Sequence, residues 1–139
     1  MMFKKILLAT DGSEHSVRAT EKAIALASCQ SHGRIDVVYV IDGRQSKEDV
    51  LQHWGTDAQD QRRKKLQLIE HKIMQANIDY TTHYLHGEPG PTIVHHANSN
   101  NFDAVVIGSR GLNTLQEMVL GSVSHKVAKR AKCPVMIVK

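Results

Sequence analysis

Apolar positions along this chain switch repeatedly between two spacings. Four short, largely β-branched runs, Lys5–Thr10, Ile35–Ile41, Ala104–Ile107 and Val135–Val138, have the length and residue types of strands. A weaker run, Tyr80–Leu85, alternates polar and apolar residues. Between the runs the spacing is helical. Val17, Thr20, Ala23, Ile24 and Ala27 line one face of a helix that Ser13 is placed to cap, just after Asp11-Gly12. Leu66, Ile69, Ile73 and Ala76 form the stripe of a second helix. A third follows Glu88-Pro89-Gly90-Pro91, where proline suits a first turn, and packs through Ile93, Val94 and Ala97 until Asn98-Ser99-Asn100-Asn101 ends it. The last runs from about Gly121 to Ala131, with Val123, Val127, Ala128 and Ala131 inward. Asp42–Asp57 has no clear period and is expected to be a surface loop or a short extra helix.

Strands alternating with helices predict an α/β fold: a single doubly wound five-stranded parallel sheet with helices on both faces, in one domain over residues 1–139. Right-handed crossovers leave few strand orders. The alternating Tyr80–Leu85 run suits an edge and the nearly all-apolar first run suits the centre, which gives the order 3-2-1-4-5. The order reverses between strands 1 and 4, and ligands of such sheets sit there, beyond the carboxyl ends of the strands. Val135, Met136, Ile137 and Val138 then form the other edge, apolar and in need of cover. A second copy of the same strand is the simplest cover, so a homodimer is expected, with Pro134 tolerated at the strand's start.

Composition narrows the function classes. The chain has 139 residues, 41% hydrophobic and 23% charged, an ordinary globular balance. No apolar run reaches the roughly 18 residues of a membrane span, and the N-terminal run meets Asp11 too soon for a signal peptide. The net charge of +4 raises nucleic acid as a partner. The densest basic run, Arg62-Arg63-Lys64-Lys65, points in all directions around a helix, and aromatics are only 4%, so no nucleic-acid surface is expected. Cys29 and Cys133 are expected as buried free thiols, which implies a reducing compartment, the cytoplasm. Among nine histidines, the adjacent His95 and His96 diverge by about 100° on a helix, and His83 and His86 fall on opposite faces of a strand. Neither pair shows ligand spacing with a cysteine or carboxylate, so no resident metal site is expected.

The candidate chemistry lies at the switch point. Thr10-Asp11-Gly12-Ser13 follows strand 1, and Gly108-Ser109-Arg110-Gly111 follows strand 4. Ten residues after Gly111, Gly121-Ser122-Val123-Ser124 opens the last helix. Glycines let backbone amides approach an anion closely, and a helix N-terminus presents unpaired amides with partial positive charge. Ser122 and Ser124 add hydroxyls, and Arg110 adds charge. Taken singly, these glycines make a turn and the serine caps a helix; together they form a phosphate cradle. The chain lacks the G-x-x-x-x-G-K-[ST] of P-loop enzymes and a G-x-G-x-x-G after strand 1. It also lacks a G-x-S-x-G elbow, and strand 3 ends Tyr84-Leu85-His86-Gly87, without the aspartate of a phosphoacceptor receiver.

These segments resemble the ATP-binding branch of the universal stress protein family over essentially the whole chain. The resemblance rests on Ile6–Ser13 (ILLATDGS), Gly87-Glu88-Pro89, Ala104–Gly111 (AVVIGSRG) and above all Gly121–Val138 (GSVSHKVAKRAKCPVMIV). It implies ATP as ligand, with Thr10 and Asp11 near the ribose or near Mg²⁺ carried on the phosphates. The main chain of Val40 and Ile41 would meet the adenine. Gly108, Arg110, Gly111, Gly121, Ser122, Val123 and Ser124 would surround ribose and phosphates. The resemblance also implies dimers paired through the last strand. Binding by a regulatory module is the expected function; slow hydrolysis of the bound ATP, and a nucleotide-free interaction module, are the alternatives.

Overall fold

The computed structural model describes residues 3–11, 14–41, 57–109 and 121–139. Its elements are β1 (Lys5–Thr10), α1 (Glu14–Ser28), β2 (Arg34–Ile41), α2 (Asp57–Gln75), β3 (Asp79–His86), α3 (Pro89–Ser99), β4 (Ala104–Gly108), α4 (Ser122–Arg130) and β5 (Val135–Val138). Residues 42–56 of the ambiguous stretch, the Ser13 cap, Arg110 and Gly111 lie outside the described residues.

The sheet is five-stranded, ordered β3-β2-β1-β4-β5, and every pairing is parallel. β1 is flanked by β2 (Ile6 opposite Ile35) and by β4 (Ile6 opposite Ala104), which is why its side chains are buried from Ile6 to Thr10. β3 lies at one edge, and its alternating sequence leaves Tyr84 exposed.

Because strand side chains alternate, each strand supplies two cores. On one face Ile6, Leu8, Ile35, Val37 and Val106 pack against Ala19, Ala23 and Ala27 of α1 and Leu66, Ile69 and Ile73 of α2. On the other, Leu7, Ala9, Val38, Val105 and Ile107 meet Ile93 and Ala97 of α3 and Val127 of α4. Gly87 turns the chain from β3 into α3 at φ +143, a conformation L side chains rarely adopt, and a Cβ there would stand 2.7 Å from Thr92 Oγ1.

Two expectations about burial fail. Cys29 is an exposed free thiol and Cys133 only half-buried. Cys29 follows the end of α1, two positions beyond the inward Ala27, so it faces out, and its Sγ–H donates to the Ala25 carbonyl at 3.3 Å. Ala128 is exposed as well. The inward line of α4 runs through Ser124 and Val127 toward Ala131, and Ala128 turns past its margin. No helix among the described residues is long and apolar enough to cross a membrane.

Candidate functional site

The carboxyl ends of β1, β2 and β4 and the start of α4 come together at the switch point. β1 and β4 run side by side with Ala9 opposite Ile107, so Thr10 and Gly108 end neighbouring strands. Beyond Thr10, Asp11 is held by the first turn of α1: the Ser16 hydroxyl accepts from the Asp11 amide at 3.1 Å and donates to Asp11 Oδ1 at 2.8 Å. Ser16 is buried, and its own carbonyl accepts from Thr20 Oγ1 at 2.7 Å. The aspartate is thereby oriented by the buried Ser16 hydroxyl at the strand–helix junction.

Gly108 has a packing role here. A Cβ at that position would stand 3.0 Å from His15 Cβ and 3.3 Å from its carbonyl carbon, so the missing side chain lets α1 press against the end of β4. The next residue, Ser109, is buried and anchors three elements. Its amide donates to Val138 of β5, and its carbonyl accepts from the Gly121 amide, each at 2.8 Å. That carbonyl and the Gly121 carbonyl also accept from the Ser124 hydroxyl, each at 3.0 Å. Ser124 thus spends its side chain tying α4 to β4, while Ser122 is exposed and Val123 packs partly into the core.

This lock fixes where the α4 amides point. Gly121 is the N-cap residue, and no side chain among the described residues caps the helix. The first-turn amides of Ser122, Val123 and Ser124 therefore have no intrahelical acceptor, and the positive end of the helix dipole opens beside the ends of β1 and β4.

β2 outruns β1: the last ladder pair is Thr10 with Tyr39. Successive residues of a strand direct their main-chain groups to opposite neighbours. The Ile41 carbonyl accepts from Gly87 at 3.1 Å, so Ile41 is turned toward β3, and Val40 is turned toward the β1 side, over the switch point. Of this pair, Val40 is the residue whose main-chain edge faces the crevice.

A second polar group was not anticipated. Asp36, buried in the middle of β2, faces the α3–α4 side of the sheet. Its Oδ1 accepts from Arg34 Nε at 2.8 Å, and its Oδ2 lies 3.0 Å from His83 Nε2 on β3, which must carry the proton because a carboxylate only accepts. His96 of α3 stacks toward His83 with ring centroids 4.9 Å apart. Burial, and next the neighbouring His83, hold the His96 imidazole below its usual pKa; Lys5 and His95 push the same way, and Asp36 opposes them. A signal was present in the sequence, since Asp36 is the one charged residue inside the apolar run Ile35–Ile41. Its histidine partners come from two other elements and share no local spacing.

Similarity to known proteins covers the whole chain. The universal stress protein family model matches residues 2–139. Universal stress protein YxiE of Bacillus subtilis is 34% identical, over 99% of this chain and 100% of that protein. Universal stress protein MJ0531 of Methanocaldococcus jannaschii is 30% identical, over 99% of this chain and 83% of that protein. Among solved structures, the hypothetical protein MJ0577 superposes with a TM-score of 0.82 at 28% identity, covering 100% of this chain and 97% of that one. A universal stress protein in complex with cAMP superposes with a TM-score of 0.73 at 26% identity, over 100% and 99% of the two chains. On the family match across its length, with a fold and strand order that agree, this chain belongs to the universal stress protein family.

Proposed function

We propose that the chain is a regulatory module that binds an adenine nucleotide, ATP first, at the carboxyl ends of β1, β2 and β4. One observation carries this reading: the uncapped first turn of α4 is bonded through Gly121 and Ser124 to Ser109 at the end of β4, beside Asp11. Preorganised amides at a helix N-terminus suit a polyphosphate. The main-chain edge of Val40 suits a purine, and Asp11 suits a ribose hydroxyl or Mg²⁺ carried with ATP. A relative of the same fold in complex with cAMP supports an adenine nucleotide as the ligand class.

The test is titration calorimetry with ATP, AMP and cAMP, together with mass spectrometry of small molecules released from freshly purified protein. ATP is expected to bind in the micromolar range or to copurify. Gly121→Val, which puts a side chain where phosphate would approach, is expected to weaken binding at least about tenfold in a chain that still folds, as circular dichroism checks. Absence of both a copurified nucleotide and a binding isotherm would sink the reading.

The same proposal includes a homodimer joined through β5, in the cytoplasm. β5 has a sheet neighbour, β4, on one side, and Met136 is exposed there. Ile137 packs partly into the core of its own subunit, so a charge at that position would also loosen the fold. Met136→Lys is the cleaner variant. It is expected to shift light scattering from dimer to monomer at low micromolar protein; a dimer that persists removes β5 as the interface.

A further inference from the structure

The Asp36, His83 and His96 cluster lies on the α3–α4 face toward the β3 edge, away from the carboxyl end of β2. One carboxylate oxygen and one imidazole nitrogen from each histidine lie within 4.8 Å of one another, the one such group of metal-binding side chains among the described residues. We propose that these three side chains form a binding site for a borderline divalent transition-metal ion, Zn²⁺ in the first instance, separate from the nucleotide crevice.

Two further observations support it. His96 Nε2 is buried and has no hydrogen-bond partner, the only such side-chain atom among the described residues. An unsatisfied buried polar atom costs about 1–3 kcal/mol, so its retention calls for a reason. The spacing is also already close to that of a coordinated ion. Donors around tetrahedral zinc stand about 3.4 Å apart, from bond lengths near 2.0–2.1 Å, and His83 Nε2 and Asp36 Oδ2 are 3.0 Å apart. The remaining adjustment, this pair widening and the third donor closing from within 4.8 Å, is within reach of small side-chain rotations, because His83 is on an edge strand and its side chain is 31% exposed. That exposure also gives the ion a route in.

Charge selects the kind of ion. Arg34 already binds Asp36 Oδ1, and Lys5 sits nearby over the Phe102 ring, 4.6 Å from its centroid, with Nζ donating to the Asn100 carbonyl at 2.7 Å. Two neighbouring cations disfavour a hard ion held by charge alone, such as Ca²⁺ or Mg²⁺, which take oxygen donors. Two imidazoles and one carboxylate match Zn²⁺ and its neighbours, whose bonds to nitrogen are stronger. Binding through His83 Nε2 displaces the proton it donates to Asp36, and the ring stays neutral by taking a proton from solvent at Nδ1 in exchange. Three protein ligands leave one position for water.

The experiment titrates chelator-treated, full-length protein with ZnCl₂ by calorimetry, with Co²⁺ absorption as a report on coordination geometry. One equivalent of Zn²⁺ per chain is expected, with a visible Co²⁺ spectrum of tetrahedral type. Loss of partners outside the coordination shell already weakens metal sites by about 10–100-fold, so His96→Gln and His83→Gln should each cost at least that much. Circular dichroism melts of both variants establish that they fold, and His83→Gln, on the exposed edge, serves if the buried variant does not. Absence of a one-equivalent isotherm in the wild-type protein overturns the proposal. So does an affinity unchanged in the folded variants, which would assign the ion to other histidines.

Discussion

The two faces of this sheet are built from the same strands and differ in kind. On the α1–α2 face, β2 presents Ile35 and Val37 to a cluster of apolar side chains, and the buried Thr20 of α1 bonds within its own helix, to the Ser16 carbonyl. One residue over, the same strand presents Asp36 to the α3–α4 face, where the apolar residues share space with a carboxylate and two imidazoles. The first face derives its stability from area removed from water and from close packing. The second gives up part of that area to polar groups that must be hydrogen-bonded to be tolerated. The contrast separates a face that holds the fold together from one that has room for chemistry.

The sharpest way to break the contrast is a cavity on the apolar face. Ile69 of α2 is fully buried in the cluster that holds Ile6, Leu8, Ile35 and Val37. Ile69→Ala is expected to cost about 2–5 kcal/mol in urea unfolding at unchanged slope. Asp36→Asn, on the polar face, should cost less, about 1–2 kcal/mol. Its partners Arg34 and His83 have side chains 41% and 31% exposed and can turn to water when the charge is lost. Equal losses for the two variants would mean that the polar face is as tightly integrated as the apolar one.

The smallest expected effect concerns thiol reactivity. Cys133 packs against the α3–α4 core, and burial is the first cause of a thiol pKa raised above its ordinary value. Cys29, at the end of α1, is exposed. The thiolate is the nucleophile, so iodoacetamide at pH 8 should alkylate Cys29 several-fold faster, read by peptide mass spectrometry over time. Faster labelling of Cys133 would show the α3–α4 side opening readily, and would move the less stable region of the molecule to that face.

Strand and helix identity were legible because they are written in local spacing. Tyr80–Leu85 lies within a strand one residue longer at each end, and the Leu66, Ile69 and Ile73 stripe faces the core as its period requires. The strand order followed from which runs were apolar on both sides, since a central parallel strand is covered on both. The switch-point candidates were named by the same route. Their individual roles were less legible. Gly108 admits α1 as well as fitting a glycine-rich loop, and the Ser124 hydroxyl points back to Ser109 and Gly121. Val40 and Ile41 face opposite neighbours although they adjoin in sequence.

Periodicity and side-chain type therefore determined the elements and their order in the sheet, because both follow from which residues avoid water. The meeting of Asp36 with His83 and His96 was decided only by the tertiary structure. Those residues lie on β2, β3 and α3, and only the β2–β3 register and the seating of α3 on that face bring them together. No periodicity within one segment records a distance between three.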